Sequence, residues 1–347
     1  MPDVTRDLAA PEAGGRPPAA AEPVLEIRGL RVSYDTPTGR VQAVAGLDLV
    51  LRPGDSVGLV GESGSGKSTV ALAVMGLLPA GGRVDAGQVR LLGRDLTTLP
   101  EHELRAVRWR QAAMVFQKAM SAFSPVHRLA DHFVDVWRAH RPERGRRARS
   151  LALERARVLL EAVGLRPDAL WAYPHTLSGG MLQRALIALA LVHQPRLLIL
   201  DEATTALDVV TQAQVLSEVA RLQREFDLTT LVISHDIGVV AALCRRVAVL
   251  YAGHLVEEGP VQQVLEAPRH PYTAALVRAF PRLRGPRRRL ESIPGTLPDL
   301  TRPPQGCVFA DRCPRAAGAC REGPPPVEHS GGRMVRCRFP LGGDAGA

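Results

Sequence analysis

The strongest signal in this sequence is a glycine-rich segment, Gly61-Glu62-Ser63-Gly64-Ser65-Gly66-Lys67-Ser68-Thr69. It fits the phosphate-loop pattern G-x-x-x-x-G-K-[ST]. An apolar run from Ser56 to Val60 precedes it and an apolar helical pattern follows it, which predicts a strand, a tight loop and a helix. Glycines let the backbone N–H groups of the loop and of the helix N-terminus face phosphate oxygens closely. We therefore predict that this loop binds a nucleotide.

The alternative for this segment is a chance glycine-rich turn between a strand and a helix. Lys67 argues against it, because Lys67 and Lys118 are the two lysines of the chain and one of them stands at the required position. The motif also assigns roles to side chains. Lys67 would reach the β- and γ-phosphates, and Ser68 would be a ligand of Mg²⁺.

Composition is that of an ordinary globular protein, with 46% hydrophobic and 23% charged residues in 347. This length suits one large domain with an appendage, or two domains. The longest clear apolar run, Ala185 to Val192, is too short to span a membrane. The first residues, Met1 to Pro23, are rich in Pro, Ala and Gly and lack the pattern of a secretory signal, so we expect a flexible tail.

The formal net charge of +9 raises the question of an anionic partner. Nearly all of the positive charge is arginine, concentrated from Arg141 to Arg149 and from Arg282 to Arg289. Solvated arginine-rich faces, lipid headgroups and nucleic acid would each suit such charge. No aromatic residues that could stack on bases are interleaved with the arginines, which disfavours nucleic acid.

Apolar runs along the chain predict strands, and two of them end in side chains suited to catalysis. The run from Arg196 leads into Asp201 and Glu202, and the run from Thr229 to Ser234 leads into His235. Such runs are typical of parallel strands buried on both faces, whose carboxyl ends lie where phosphate sites form. Further predicted strands are Val24 to Tyr34, which alternates as an edge strand would, Val41 to Leu51, Gly87 to Leu92, Ala112 to Gln117, and a hairpin between Val247 and Gly259.

The remaining patterned segments predict helices. From about Ala130 to Leu170 apolar positions recur at helical spacing without a strand signal, which predicts a small helical subdomain inserted into the sheet. Ser178-Gly179-Gly180 combines a serine cap with two glycines at the start of a helix, which is a second potential anion site. The other predicted helices follow Lys67 to about Leu78, span Glu101 to Arg110, continue from Gly180 to about Val192, extend from Asp208 to about Phe226, and span Pro260 to Leu265.

The order of these motifs resembles the ATP-binding subunits of ABC transporters. A lone phosphate loop fits many nucleotide triphosphatases, whereas six ordered elements are highly specific. The resemblance implies a P-loop NTPase core of the RecA-like α/β class, with an antiparallel β subdomain and an inserted α-helical subdomain. The elements are the phosphate loop, a strand-end glutamine (Gln117), the LSGGM element (Leu177 to Met181), a strand ending in Asp201-Glu202, the TALD turn (Thr205 to Asp208) and a strand ending in His235.

The resemblance implies a role for each matching residue. Phosphoryl transfer needs positioning of the reactants and neutralisation of charge. One carboxylate that binds the metal and a second that contacts the attacking water would meet these two needs. Structural alternatives are a solvated acid for Glu202, a satisfied core histidine for His235 and simple packing for Tyr34. The implied roles are adenine stacking by Tyr34, phosphate and Mg²⁺ contacts by Lys67, Ser68, Thr69, Asp201 and Gln117, general-base catalysis by Glu202, a γ-phosphate contact by His235, and a contact across a dimer interface by Asp208.

The resemblance also implies partners. In this family the LSGGM element completes the site of a facing subunit, so ATP would lie between Gly61–Thr69 of one chain and Ser178–Gly180 of another, identical or paralogous, chain. ATP binding would close the pair and hydrolysis would reopen it. Two membrane permease subunits, contacted near Gln117, and indirectly an extracytoplasmic solute-binding protein would complete the system. The chain would then be a peripheral protein on the cytoplasmic side of the cell membrane.

The C-terminal part narrows the resemblance to the ATPases of oligopeptide and dipeptide importers. His270-Pro271-Tyr272-Thr273, Ile293-Pro294-Gly295 and Gly306-Cys307 occur in the order of their C-terminal extension. The resemblance covers about Val24 to Pro340. It implies an ATP-binding domain over residues 24–265, with the helical subdomain at about 118–180, an extension over 266–340 and a flexible tail over 341–347.

The extension contains four cysteines, Cys307, Cys313, Cys320 and Cys337, with the spacing C-x5-C-x6-C-x16-C. This spacing lacks the C-x2-C element of common structural zinc sites. Four thiolates could hold an iron–sulfur cluster, and the resemblance supports a [4Fe-4S] cluster, which members of this family carry here. Zinc and unliganded reduced thiols remain open alternatives. Arginines that flank the cysteines would favour thiolates, namely Arg312, Arg315, Arg336 and Arg338.

Four positions depart from the family pattern without removing a catalytic group. Lys118-Ala119 replaces the usual Asp-Pro after Gln117, at the expected docking site of a permease subunit, and Ala203 replaces the proline that usually follows the catalytic glutamate. Met181 stands where other ABC families commonly have glutamine, and methionine is frequent at this position among peptide-importer ATPases. The departures therefore bear on coupling and partner choice more than on ATP hydrolysis.

We therefore expect an ATPase subunit that energises import of oligopeptides or dipeptides. An importer subunit for nickel or another small solute is an alternative, because the same cassette serves several solutes. A soluble ABC ATPase acting on nucleic acid or ribosomes is less expected, since such proteins usually carry two cassettes or a long coiled-coil insertion and this sequence has neither. The sequence does not specify the transported solute or whether the ATPase pair is homodimeric.

Overall fold

The structure, a computed structural model, describes residues 22–116, 119–205, 207–280 and 292–342. Its strands are β1 (Leu25–Thr36), β2 (Gly39–Leu51), β3 (Ser56–Val60), β4 (Gly82–Leu91), β5 (Arg94–Asp95), β6 (Ala112–Val115), β7 (Leu197–Asp201), β8 (Thr229–Ser234), β9 (Arg246–Tyr251), β10 (His254–Pro260), β11 (Val327–Ser330) and β12 (Arg333–Arg336). Its α-helices are α1 (Lys67–Met75), α2 (Glu101–Val107), α3 (Ala119–Ala122), α4 (Leu129–His140), α5 (Gly145–Ala162), α6 (Gly179–Ala190), α7 (Val209–Glu225), α8 (Ile237–Leu243), α9 (Val261–Glu266) and α10 (Pro271–Ala279).

Several expectations fall outside these residues. They include the strand-end glutamine Gln117, residues 1–21 of the expected N-terminal tail and residues 343–347 of the expected C-terminal tail. In the part of the chain that the structure describes, no helix combines the length and the apolar character needed to cross a bilayer.

A large sheet carries the predicted catalytic strands. Its strand order is β11-β12-β10-β9-β3-β8-β7-β6, and β3 pairs in parallel with both β8 and β9. Strands β7 and β8 are parallel neighbours, with Asp201 opposite Ile233. Every residue of β3, β7 and β8 is buried, as the apolar runs predict for strands covered on both faces. The carboxyl ends of β3, β7 and β8 therefore meet at one edge of the sheet.

A smaller antiparallel sheet has the order β2-β1-β4-β5. The prediction that β1 is an edge strand is wrong, because Leu25 pairs with Leu51 of β2 on one side and with Leu91 of β4 on the other. Alternation of apolar and polar residues indicates that one face of a strand is buried. A central strand and an edge strand of a sheet with one buried face therefore show the same alternation. The pattern therefore could not distinguish the two positions.

Helix α1 is shorter than predicted. It ends at Met75 because Gly76 adopts a left-handed conformation (φ 61°) and its N–H donates to the carbonyls of Ala73 and Leu72. Such a glycine is a common helix terminator. The predicted end of this helix, at about Leu78, is therefore three residues too late. Strand β4 begins at Gly82, five residues before the predicted start at Gly87.

Helices α3 to α6 follow β6 without an intervening strand among the described residues. Phe133 of α4 and Leu159 and Leu160 of α5 are buried in one cluster together with apolar residues of α6. The side chain of Ser178 accepts the N–H of Met181 at 3.3 Å, which confirms the predicted serine cap of α6. The helical spacing from about Ala130 to Leu170 thus correctly indicated helices packed on a shared core.

The C-terminal extension continues the large sheet. Strand β12 pairs with β10, with Glu257 opposite Val335, and β11 follows on its other side. Close by, the rings of Tyr251, Tyr272 and Phe309 form a buried aromatic cluster, with centroids 4.5 to 5.4 Å apart. The extension is therefore packed against the core of the chain through both main-chain pairing and apolar contacts.

Candidate nucleotide site and cysteine cavity

The phosphate loop connects β3 to α1 in a conformation that requires glycine at two positions. A Cβ atom on Gly61 would lie 2.1 Å from the carbonyl oxygen of Leu250, and one on Gly66 would lie 2.2 Å from the carbonyl oxygen of Ala43. Gly66 also has a φ of 99° and directly precedes α1. The two outer glycines of the motif are thus required by the close approach of neighbouring strands and by backbone conformation.

Lys67 lies inside the loop. Its side chain is 7% exposed, and its Nζ donates to the carbonyl oxygens of Gly61 and Glu62, each at 2.8 Å. Burial lowers the pKa of Lys67, while the charges of Glu202, Asp201 and Glu62 act in the opposite direction. The ammonium group is therefore held beside the loop backbone, within the electrostatic influence of the two carboxylates at the end of β7.

Asp201 and Ser68 form the predicted metal-binding pair. The Ser68 hydroxyl donates to Oδ1 of Asp201 at 3.1 Å. Burial raises the pKa of Asp201, the hydrogen bond from Ser68 opposes this, and the Glu202 charge adds to it. A hydroxyl and a carboxylate side by side at a phosphate loop are oxygen ligands of the type that Mg²⁺ prefers. These two residues therefore fit a magnesium ion at the phosphate loop.

Glu202 and His235 are in direct contact at the ends of β7 and β8. The ring Nδ1 of His235 lies 2.8 Å from Oε2 and 2.9 Å from Oε1 of Glu202, and the His235 backbone N–H donates to Oε1 at 3.1 Å. The Thr205 hydroxyl donates to Oε2 at 2.5 Å. Glu202 itself has a φ of 52°, an unfavourable backbone conformation for a side chain of its size. The carboxylate is thus oriented by three groups at a strained position.

One pocket brings the phosphate loop together with two of the predicted catalytic residues. Glu202 and His235 lie opposite the phosphate loop across it, and three apolar residues that the sequence analysis did not foresee complete its walls. Of these, Leu300 comes from the C-terminal extension, and no local motif marks it. The lining residues are Val41, Ala43, Ser63, Gly64, Gly66, Lys67, Ser68, Thr69, Glu202, His235 and Leu300.

Tyr34 reaches the loop through its hydroxyl, which donates to Oγ1 of Thr69 at 3.3 Å. Ser178, Gly179 and Gly180 do not line the pocket, and the first two are exposed at the start of α6. A Cβ on Gly180 would lie 2.2 Å from Cγ2 of Thr211, so this glycine permits the close packing of α6 on α7. The structure therefore brings the LSGGM element to its own α7, and not to its own phosphate loop.

Asp208 is a helix cap in this structure. Its Oδ1 accepts the N–H groups of Val210 and Thr211, and its Oδ2 accepts the Thr211 hydroxyl at 2.6 Å. The hydrogen bonds from Thr211 lower the pKa of Asp208, with a smaller contribution from Val210. The side chain therefore has a structural function at the start of α7, in addition to the predicted contact with a second subunit.

The four C-terminal cysteines line one cavity. Arg315, Arg338, His270 and Phe309 line it as well, and the backbone N–H of Cys307 donates to the carbonyl oxygen of Cys320 at 2.7 Å. Among the described residues, however, no group of three or more His, Cys, Asp or Glu side chains has the arrangement of a metal-binding site. The cysteines thus share a cavity without the arrangement of a metal-binding site among the described residues. They are Cys307, Cys313, Cys320 and Cys337.

The expectation that flanking arginines favour thiolates is wrong for this structure. Burial raises the pKa of Cys307, Cys313 and Cys337, that of Cys337 to about 11, and this outweighs the effect of Arg315 on Cys313. Two of the four arginines also point elsewhere. Arg312 pairs with Glu62, and Arg336 donates to the carbonyl oxygen of Leu255.

Comparison with known families agrees with the motif order. Residues 44–205 match the family described as ABC transporter, and residues 256–320 match the family described as oligopeptide/dipeptide transporter, C-terminal region. Among solved structures, the dimeric structure of MJ0796, a bacterial ABC transporter cassette, aligns with a TM-score of 0.60 and 25% identity. That alignment covers 68% of this chain and 98% of the cassette. The P-loop NTPase cassette fold predicted from the sequence is thereby confirmed.

Curated relatives align over nearly the whole chain. The oligopeptide transport ATP-binding protein OppD of Salmonella typhimurium is 42% identical over 333 residues, which is 95% of this chain and 98% of the relative. OppD of Escherichia coli is 43% identical over 92% of this chain and 94% of its own length. The probable D,D-dipeptide transport ATP-binding protein DdpD of Escherichia coli is 45% identical over 91% and 96%. Because this identity extends far beyond the phosphate loop, the chain belongs to the ABC transporter family, among the ATP-hydrolysing subunits that carry the oligopeptide/dipeptide transporter C-terminal region.

Proposed function

We propose that this chain energises the import of oligopeptides or dipeptides from the cytoplasmic side of a membrane, as a peripheral subunit bound to two permease subunits. The observation that carries the proposal is the match of residues 256–320 to the oligopeptide/dipeptide transporter C-terminal region. The nucleotide pocket itself contains nothing that selects a transported solute. The names of relatives aligned over at least 91% of the chain, which refer to oligopeptide, peptide and D,D-dipeptide transport, support the same choice.

In the proposed reaction Glu202 acts as the general base on the water that attacks the γ-phosphate. His235 and Thr205 hold its carboxylate, and His235 in turn contacts the γ-phosphate. Lys67 neutralises charge on the β- and γ-phosphates. Ser68, Asp201 and Gln117 would hold a magnesium ion, which would supply neutralisation of phosphate charge. Tyr34 stacks on the adenine from the smaller sheet.

We further propose that two ATP-binding subunits act as a pair. Ser178 and Gly179 are exposed at the N-terminus of α6 and lie outside their own pocket, so their backbone N–H groups are available to the nucleotide of another chain. Asp208 caps α7 and lies beside Val209 and Val210, two large apolar side chains that are exposed at the start of this helix. The dimeric state of the similar cassette MJ0796 supports this arrangement.

Reconstitution tests the transport proposal. The chain is assembled with its two permease subunits and the second ATPase subunit in lipid vesicles. A solute-binding protein loaded with peptide should then stimulate ATP hydrolysis and uptake of labelled di- and oligopeptides. The Lys67→Ala variant, which lacks the phosphate-binding ammonium, serves as the matched inactive control. Stimulation by nickel or another small solute would replace the peptide assignment, and stimulation only by nucleic acid or ribosomes would overturn the transport assignment.

We propose that the four-cysteine cavity holds a [4Fe-4S] cluster. The support is the convergence of Cys307, Cys313, Cys320 and Cys337 on one cavity, together with the cationic Arg315 and Arg338 that also line it. Burial raises the pKa of Cys307, Cys313 and Cys337, and such thiols lose their protons readily only to a strongly bound cation. The four sulfurs of the cavity match the ligand set of such a cluster. When bound, the cluster would supply structural cross-linking of the extension.

Purification without oxygen tests the cluster. Protein isolated anaerobically should be brown and contain iron and acid-labile sulfide in a ratio close to one to one. The Cys320→Ser variant should lose both, while Cys244→Ser, which changes a cysteine outside the cavity, should retain them. A folded, colourless and iron-free protein would contradict the cluster, and stoichiometric zinc in its place would establish the alternative metal.

A further inference from the structure

The phosphate loop is contacted from behind by the C-terminal extension. Glu62 occupies a position that the phosphate-loop pattern leaves open. Its backbone N–H donates to the Tyr272 hydroxyl at 2.9 Å, and its Oε2 accepts a hydrogen bond from Nη1 of Arg312 at 2.9 Å. Both partners follow residue 266 in the chain. One loop residue is thus held through its main chain and its side chain by two residues of the extension.

The ion pair between Glu62 and Arg312 lies in a largely buried environment. The Arg312 side chain is 7% exposed and that of Glu62 is 25% exposed. Arg312 uses its remaining donors on the hydroxyl of Tyr251 at 3.1 Å and on the carbonyl oxygens of Pro294 at 2.7 Å and Ile293 at 3.2 Å. A guanidinium with all of its edges engaged has one orientation, so it fixes the position of its carboxylate partner.

Glu62 transmits this restraint to the nucleotide-binding groups. Its carbonyl oxygen accepts a hydrogen bond from Nζ of Lys67, the residue expected to reach the phosphates. The second carboxylate oxygen, Oε1, is buried without a hydrogen-bond partner among the described residues, so the pair with Arg312 is what offsets the burial of this charge. Without Arg312, the Glu62 carboxylate would lose the charge that offsets its burial.

Two leucines of the same extension contact the nucleotide site directly. Cδ1 of Leu297 lies 3.3 Å from the position that a Cβ on Gly64 would occupy, and Leu300 lines the nucleotide pocket. The N–H of Gln42 also donates to the carbonyl oxygen of Leu300 at 3.1 Å, which connects the extension to strand β2 beside the pocket. The contacts of Arg312 are therefore part of a continuous surface behind and beside the phosphate loop.

We propose that Arg312 is a positioning residue for ATP binding: through its ion pair with Glu62 it holds the phosphate loop in the conformation that receives the phosphates. The affinity of the cassette for nucleotide therefore depends on its C-terminal extension. The proposal rests on nucleotide binding at Gly61–Thr69, which Lys67→Ala tests separately, since that variant should lose binding whether or not Arg312 acts on the loop.

Nucleotide titration of the full-length chain tests the proposal. With a fluorescent ADP analogue and Mg²⁺ as the probe, Arg312→Gln should raise the Kd about tenfold, and in hydrolysis assays it should raise KM while kcat changes little. The matched control is Arg321→Gln, which removes an exposed ion pair with Asp311 on the same extension and should leave the Kd unchanged. Arg312→Lys, which keeps the charge, should recover part of the affinity.

A double-mutant cycle separates positioning from general packing. Glu62→Gln removes the charge that Arg312 holds while keeping the shape of the side chain, and should also raise the Kd. Glu62→Gln combined with Arg312→Gln should be no weaker than Arg312→Gln alone, because both changes remove the same interaction. Additive losses, or a Kd within about twofold of the native chain in both single variants, would overturn the proposal. If Arg312→Gln does not fold, the Kd of Glu62→Gln and of Arg312→Lys for the same nucleotide analogue still tests the proposal.

Discussion

At the scale of single residues, two adjacent carboxylates at the end of β7 have different surroundings. Asp201 is buried and accepts the Ser68 hydroxyl, whereas Glu202 faces the pocket and is held by Thr205 and His235. Glu202 has a positive φ, a conformation that costs on the order of 1 kcal/mol for a residue other than glycine. This backbone turn directs consecutive side chains to different partners, Asp201 to Ser68 and Glu202 to Thr205 and His235.

Changing Glu202 to glutamine should separate nucleotide binding from hydrolysis. The amide keeps the size of the side chain but cannot accept a proton, so we expect ATP turnover to fall at least about a hundredfold while the Kd for ATP changes little. Phosphate release measures the first quantity and equilibrium titration the second. Glu225→Gln, which changes an exposed acid at the end of α7, is the control. Turnover near the native rate in Glu202→Gln would show that another group is the base.

Much of this pocket could be predicted at the level of residues, because its parts lie in local motifs at the ends of neighbouring strands. Parallel pairing brings such ends together, so Lys67, Glu202 and His235 could be placed near one another before any coordinates were known. Leu300 and Arg312 could not, because they reach the loop only through long-range packing of a segment without a periodic pattern. For Asp208 the sequence analysis predicted a contact across an interface and missed the capping of α7, although the residue preference for helix starts would have indicated a cap.

At the scale of secondary-structure elements, the contact between α4 and the end of α6 depends on an uncharged histidine. His193 follows α6, stacks on Trp137 with ring centroids 5.9 Å apart, and its Nε2 donates to the carbonyl oxygen of Val136 at 3.0 Å. Burial, together with the charges of His140, Arg141 and Arg110, lowers the pKa of His193 to about 4, although the hydrogen bond to Val136 acts in the opposite direction. The neutral ring is therefore the form that holds these helices together.

This contact predicts a loss of stability in acid. Because the folded-state pKa of His193 is lowered, the unfolded chain binds a proton first as pH falls, so the stabilisation is complete above about pH 6.5 and is lost toward about pH 4. After allowance for partial exposure, we expect a loss of about 1 kcal/mol between about pH 7.5 and about pH 5. Urea unfolding at the two pH values measures it.

The matched variants for this prediction are His193→Gln and His102→Gln. The glutamine at position 193 can still donate to Val136 but does not titrate, so the loss of stability in acid should be smaller than in the native chain. His102 is exposed on α2, and its replacement should leave the pH dependence unchanged. An equal loss in His193→Gln and in the native chain would assign the acid sensitivity to other groups.

At the scale of the whole molecule, the chain contains an almost complete nucleotide pocket and, elsewhere on its surface, an unused helix N-terminus at Ser178. Phosphate groups bind favourably at such termini. The pocket contains Glu202 and His235 of its own chain but lacks Ser178 to Gly180. Association of two subunits would supply the missing element to each pocket, which explains why one chain alone would not be expected to hydrolyse ATP efficiently.

An arginine at Ser178 should block this association without affecting the pocket of its own chain. In the Glu202→Gln background, MgATP should convert monomers to dimers, and Ser178→Arg should prevent the conversion while the Kd of the single chain for nucleotide stays within about twofold. Light scattering measures the mass. Asp95→Ala, which removes a side-chain cap from a helical turn outside the pocket, controls for the loss of the Ser178 cap. Dimers that persist in Ser178→Arg would contradict the proposed arrangement.

The hairpin β11–β12 also determines how the large sheet ends. Strand β10 would otherwise present unpaired N–H and C=O groups to solvent, and such an edge can recruit strands of other chains and lead to aggregation. With β12 covering it, the outermost strand is β11, which is four residues long, exposed along its whole length and carries Glu328 and His329. So short and polar a strand is a poor template for edge-to-edge pairing. The extension therefore replaces the edge of β10 with one that is less prone to edge-to-edge aggregation.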